Sequence, residues 1–334
     1  MRGKTSRQAN KALIRKQQMN TNQYTMGKVE WIMLLALSLL WGFSFINIKN
    51  SLDQIPPFTL VFLRLCIAFS ALFLWCLISK QKLRLSAREQ LLLLGGGLLS
   101  CAIPFSFFTW GQQHVSTSIG AIFNGSVPFF TAFLAHFFIG GSERMSWRKA
   151  LGLGMGMLGI ITIMGIDKLS NFDLTSLGQL SMICACFFYG CSGIYYQKFV
   201  PDHIDKTVVT TYTLIWAAIA MSLVSINIEG IPSFEYRLDV WLSLFILALF
   251  STALAYIILF RLLKRAGPSN TSLNTFIIPV VGIFVGISLL GESLNSQDIF
   301  GVILIFSGVA IIRNFDSLLK KLLRQKVPST TDKL

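Results

Sequence analysis

The sequence predicts an all-α integral membrane protein, ten transmembrane helices arranged as two inverted five-helix repeats. Three observations carry this. Only 13% of the 334 residues are charged and 53% are hydrophobic, with a mean hydropathy of +0.63. Soluble chains carry about 25% charged residues, and a water-soluble protein of this length would not cover its surface with so few. Ten apolar runs are each of a length to cross about 30 Å of hydrocarbon. Landmarks of the first half then return in the second at a nearly constant offset.

The first run, 29–49, follows a tail to Lys28 with seven basic residues and no acidic one. It fills a whole span from Trp31 and lacks a small-x-small cleavage site, so it reads as a retained helix rather than a signal peptide. Further spans are expected at 57–78, 89–111, 118–139 and 147–166, then at 177–197, 208–228, 240–261, 269–290 and 297–313. Trp31, Trp147 and Trp241 stand near span starts, where indole rings anchor at headgroups. Beyond the last span, 314–326 alternates apolar and basic residues at helical spacing and reads as an interfacial tail. The chain thus divides into a basic tail (1–28), a first five-span repeat (29–166), a second (177–313) and an amphipathic basic tail (314–334).

The net charge of +14 would suggest nucleic acid in a soluble domain, but here it reads as topology. With the N-terminus inside, the inside segments hold 25 of the 29 Lys and Arg, and the outside loops hold only Lys49, Lys168 and Arg237. Positive charge gathers on the cytoplasmic side. Both termini are therefore expected in the cytoplasm of a cell with the chain in its inner (plasma) membrane.

The repeat is visible in single landmarks. Trp41-Gly42-Phe43-Ser44 parallels Tyr189-Gly190-Cys191-Ser192, and Pro128 parallels Pro279. Glu143, Gly152 and Gly159 parallel Glu292, Gly301 and Gly308 at an offset of 149. Five spans per copy is an odd number, so the second copy crosses in the opposite sense, and the loop charges reverse with it. Inverted repeats give two pseudo-equivalent states, one open to each side. In this order, with Lys49, Pro56-Pro57, Leu63-Arg64, Gly141–Trp147, Ala255-Tyr256 and Gly291-Glu292, the landmarks resemble the drug/metabolite transporter superfamily, in its ten-helix branch with two EamA-type domains. The resemblance covers about 29–313 and implies transport of a small organic solute, export of an amino acid or related amphipathic metabolite before import. Broad drug efflux is the alternative within that resemblance.

A cavity between spans 1, 3 and 4 of one half and 6, 8 and 9 of the other is expected to hold the solute. Its candidate contacts are Trp41, Ser44, Asn47, Trp110, Asn124, Tyr189, Ser192, Tyr196, Tyr256 and Asn274, aromatic surface with a few hydroxyls and amides. Gly42 and Gly190 allow helices to approach closely. Pro128 and Pro279 kink their spans and free carbonyls around Asn124 and Asn274, for binding or for rocking. Arg64 is the one basic residue well inside a span; it ties neighbouring helices or meets a substrate carboxylate, with the structural role favoured. His136 stands without carboxylates at membrane depth, which favours facilitated transport or exchange over a proton relay. Glu143 and Glu292 read as turn residues.

Other chemistry is poorly supported. Gly154–Gly159 spells a dinucleotide fingerprint inside an apolar span, with no strand before it, so it reads as packing. The six cysteines lie in spans without CxxC spacing, and no metal or cofactor is expected. HExxH and paired membrane carboxylates are missing, which argues against an intramembrane enzyme, and no loop is long enough for a soluble assembly domain. The glycines of spans 5 and 10 suit tight packing or self-association, so a homodimer stays open. The expected partners are the solute and the bilayer.

Overall fold

The computed structural model describes residues 26–139, 145–164, 174–201, 203–271 and 274–312. The predicted amphipathic stretch 314–326, most of the N-terminal basic tail, and Glu143 lie outside the described residues. Among the described residues seven helices are long and apolar enough to cross a membrane. They are α1 (Lys28–Ser51), α2 (Pro57–Ile78), α3 (Ala87–Gly111), α4 (Thr117–Phe138), α6 (Leu174–Phe199), α7 (Lys206–Glu229) and the segment Leu238–Leu259 that opens α8. Three shorter apolar helices complete the set: α5 (Trp147–Met164), α9 (Asn274–Leu290) and α10 (Ser296–Ile312).

Local chemistry explains the boundaries. Pro57 opens α2, where its missing N–H costs nothing. Ser86 and Glu89 form a reciprocal capping box on α3, Ser116 caps α4 and Asp205 caps α7. Gly230 and Gly291 follow α7 and α9 at φ +86° and +66°, a backbone region that disfavours other residues.

One boundary differs from the sequence reading. The predicted loop 261–268 is helical, because α8 runs on to Thr271 and α9 starts only at Asn274. The extension is held by packing. Leu262 and Ala266 bury against Leu34 and Leu37 of α1, and Arg265 Nε donates to Glu30 at 2.8 Å.

Two helices contain widened π-turns, Leu98–Ala102 in α3 and Ile246–Leu254 in α8, starting 148 residues apart. Such turns rotate the side chains beyond them relative to a regular helix and often occur at functional sites. Two other helices are broken. A turn at Phe43 divides α1, and a turn at Gly125-Ser126 divides α4. Pro128 is the second residue of the new helical stretch Val127–Phe138, so it marks a break where the sequence suggested a kink. Pro279 does lie within its helix.

The packing repeats itself. α6 packs on α3 and α4, and α1 packs on α8 and α9; α2 packs on α7, α4 on α9 and α5 on α10. Each first helix of a half therefore sits with the other half. The sequence reading grouped span 1 with 3 and 4, and the structure corrects this by exchanging α1 and α6. Glycines permit the exchange. A Cβ at Gly42 would strike Val281 of α9, and one at Gly190 would come within 3.1 Å of the α4 backbone at Phe130 and Thr131.

The glycines of α5 and α10 face one another. A Cβ at Gly159 would stand 2.7 Å from the Gly301 oxygen, and one at Gly308 2.5 Å from the Gly152 oxygen. Gly156 faces the Phe129 ring. These residues are consumed inside the chain, which removes the glycine-based argument for self-association. Large apolar side chains elsewhere, such as Ile78, Phe137, Leu223 and Ile303, stand more than half exposed on the outer faces, as hydrocarbon surroundings allow.

Candidate functional site

A cavity of about 270 Å³ lies at the centre, where α1, α8 and α9 meet α3, α4 and α6. That volume is near the lower bound of ligand pockets, about 300–1,000 Å³, and suits a small solute. Its wall is mostly apolar and aromatic, with Trp41, Phe45, Phe105, Phe108, Tyr189 and Tyr256. Trp41 meets Tyr256 edge-on at 6.5 Å between ring centroids, and Phe105 meets Tyr189 at the same distance.

The polar groups come from the irregular parts of the helices. Ser44 follows the turn in α1 and donates its hydroxyl to the Trp41 carbonyl at 2.6 Å. Asn124 ends the first stretch of α4, and Asn274 begins α9. Among the described residues neither amide side chain has a hydrogen-bond partner, although Asn274 is 95% buried. A polar solute in the cavity would offer hydrogen-bond partners to both.

Arg64 enters from α2. Its Nε donates to the Thr252 hydroxyl of α8 at 2.9 Å, and its guanidinium carbon lies 4.0 Å from the centre of the Phe105 ring. Among the described residues no carboxylate lines the cavity and none forms an ion pair with Arg64.

The cavity is shut at the end that carries Thr117. Both oxygens of Glu292 accept from the first amides of α4, Thr117 N at 2.6 Å and Ser118 N at 2.8 Å. Glu292 is thus a clamp between the halves, not merely the turn residue the sequence suggested. Below it Gly282 faces Ala121 and Gly125 faces Pro279. At the same end, Glu229 of α7 accepts from Phe58 N and Thr59 N of α2. A carboxylate at a helix N-terminus meets unsatisfied N–H groups and the positive end of the dipole together. Beyond Gly125 the rest of α4 turns away onto α6.

Six of the ten predicted contacts line this cavity: Trp41, Ser44, Asn124, Tyr189, Tyr256 and Asn274. Four do not. Asn47 donates to the Phe43 carbonyl within α1, and Ser192 donates to the Tyr189 carbonyl within α6. Tyr196 pairs with Thr213 at 2.8 Å and Ser100 at 3.3 Å. Trp110 lines a separate apolar groove with Phe107, Leu180 and Met221. Among residues the sequence reading passed over, Ser251 and Ile278 line the cavity; Ser251 lies in the π-turn of α8, a feature that apolar periodicity does not reveal. His136 accepts from Met145 N at 2.8 Å, a contact between α4 and the residue two before α5.

A bundle of apolar helices around a solute-sized polar-aromatic cavity, shut at one end by carboxylate clamps, defines a multi-pass membrane transporter. The chain belongs to the EamA-like transporter family, whose pattern matches residues 29–165 and again 176–314. It is 28% identical over 277 residues to the uncharacterized transporter YoaV of Bacillus subtilis, covering 83% of this chain and 94% of that protein. It is 27% identical over 297 residues to a protein of Escherichia coli named a probable amino-acid metabolite efflux pump, covering 86% and 95%. A solved crystal structure at 16% identity shares the fold, with a TM-score of 0.62 over 86% of this chain and 98% of its own.

Proposed function

We propose that this protein exports an amino acid or related amphipathic metabolite across the cell inner membrane by alternating access of its two inverted repeats. In this reading all ten apolar helices cross the bilayer and both termini are cytoplasmic. The carrying observation is the central cavity, which lies where the two groups of helices meet, with α4 and α9 in contact at its Thr117 end. Moving that contact from one half of the two helices to the other would open the cavity to the opposite side. The Lys and Arg bias supports the orientation, placing the Glu292 clamp outside. The name of the Escherichia coli relative supports the substrate class.

The test is uptake of a labelled amino-acid mixture into proteoliposomes, with and without an imposed pH gradient. Saturable uptake without the gradient supports a facilitative carrier. Uptake only with the gradient keeps the carrier and makes it proton-coupled. No uptake in either condition, with uptake of organic cations instead, would replace this reading with drug efflux.

A further inference from the structure

We propose that Arg64 is the anchor for a carboxylate on the transported solute, so that the cavity selects organic acids and zwitterions over amines and amides. The inference rests on the transport reading above and narrows it to a chemical class.

Arg64 is 94% buried, at membrane depth, among aromatic rings. Charges in such places generally face the interior and find a partner. This one has no protein counter-ion among the described residues. A guanidinium carries five N–H donors in a planar fork. Nε is committed to Thr252, and among the described residues no other guanidinium nitrogen has a hydrogen-bond partner. Four N–H groups are therefore left at the cavity wall, in the arrangement that takes a carboxylate through two parallel bonds.

The plane of that fork is set in advance. The Thr252 hydroxyl donates to the Leu247 carbonyl, five residues earlier in the π-turn of α8. Its oxygen is thereby turned to accept from Arg64. Phe105 covers one face of the guanidinium, which leaves the edge as the open direction. Across the cavity Asn124 and Asn274 offer amide oxygens, and the Trp41 and Tyr256 rings offer π-faces. Both suit an ammonium group. The charge pattern matches a zwitterion with its acid end at α2 and its amine end towards α4 and α9.

A purely structural role would make Arg64 a tie between α2 and α8 through Thr252. The two roles separate by selectivity. In proteoliposomes, counterflow of labelled leucine and phenylalanine is compared with that of their amides, for wild type, Arg64→Gln, Arg64→Lys and Thr252→Val. Gel filtration and thermal unfolding check each variant for folding. Wild type is expected to move the acids at least about tenfold faster than the amides. In Arg64→Gln that preference should fall to near unity. Arg64→Lys should retain a preference with a KM raised about tenfold, because the charge stays and the fork is lost. Thr252→Val cuts the tie and keeps the charge, so its preference for acids should persist. Amides moved as fast as acids by wild type, or an unchanged acid preference in Arg64→Gln, would overturn the role of Arg64 and leave transport standing. If Arg64→Gln does not fold, an Arg64→Lys variant with wild-type KM for the acids overturns it equally. A wild type that moves none of the panel overturns the amino-acid reading and the anchor together.

Discussion

Asn124 and Asn274 stand four and five residues before Pro128 and Pro279, and among the described residues both present amides to the cavity without a hydrogen-bond partner. Replacing either with alanine should lower kcat/KM about tenfold, roughly 1.4 kcal/mol, the scale of one hydrogen bond to a polar solute. Counterflow in proteoliposomes measures it. Tyr196→Phe should behave differently. Its hydroxyl bridges Ser100 and Thr213, so the loss should appear as about 1 kcal/mol of stability in thermal unfolding, with KM within about twofold of wild type. The contrast shows what was legible in the sequence. Residue type and depth could be read, and they placed six of ten candidates. Rotation about the helix could not. Trp110 follows the cavity residue Phe108 by two positions, about 200° around an α-helix, and so faces the opposite groove. Tyr196 shares a face with Tyr189 but lies two turns further along α6. Arg64 is visible as an anomaly in an apolar run, yet that it has no counter-ion among the described residues required the tertiary structure.

At the scale of elements, the seam between α5 and α10 is made by glycines from both helices, and backbone touches backbone. Gly159→Val and Gly308→Val should each cost about 1–3 kcal/mol by overpacking, since the nearest atom met is a main-chain oxygen unable to rotate away. Thermal unfolding in detergent would show it, and Gly154→Val is the control, because a Cβ there meets nothing within 4 Å. The sequence announced close approach through its Gly-xxx-Gly spacing but not the partner, which is why self-association stayed open. The exchange of α1 and α6 was hidden for a similar reason. Offsets between landmarks show that two halves are alike and are silent on which half a helix packs against. The π-turns of α3 and α8 also lacked a signal, as apolar runs read the same through a regular helix and a widened one.

At the scale of the whole molecule, the state seen here is shut where Glu292 holds the first amides of α4, and alternating access requires that contact to break. A charged acceptor forms hydrogen bonds roughly twice as strong as a neutral one and gains from the helix dipole besides. Glu292→Gln preserves shape and removes both advantages. The loss of about 1–2 kcal/mol should raise the population open at this face by about tenfold. Ile48 lines the cavity towards the clamp and is 4% exposed, so a cysteine there reports the opening. In a background without the six native cysteines, Ile48→Cys should react with a membrane-impermeant maleimide about tenfold faster when Glu292→Gln is added. The side from which the reagent acts tests orientation in the same experiment. With both termini cytoplasmic, the acceleration should occur in intact cells, where Ser233→Cys in the α7–α8 connection labels and Gln81→Cys in the α2–α3 connection does not. Acceleration only in inverted vesicles would reverse the topology drawn from the basic residues. Equal rates with and without Glu292→Gln would mean that the clamp holds the fold and not the gate.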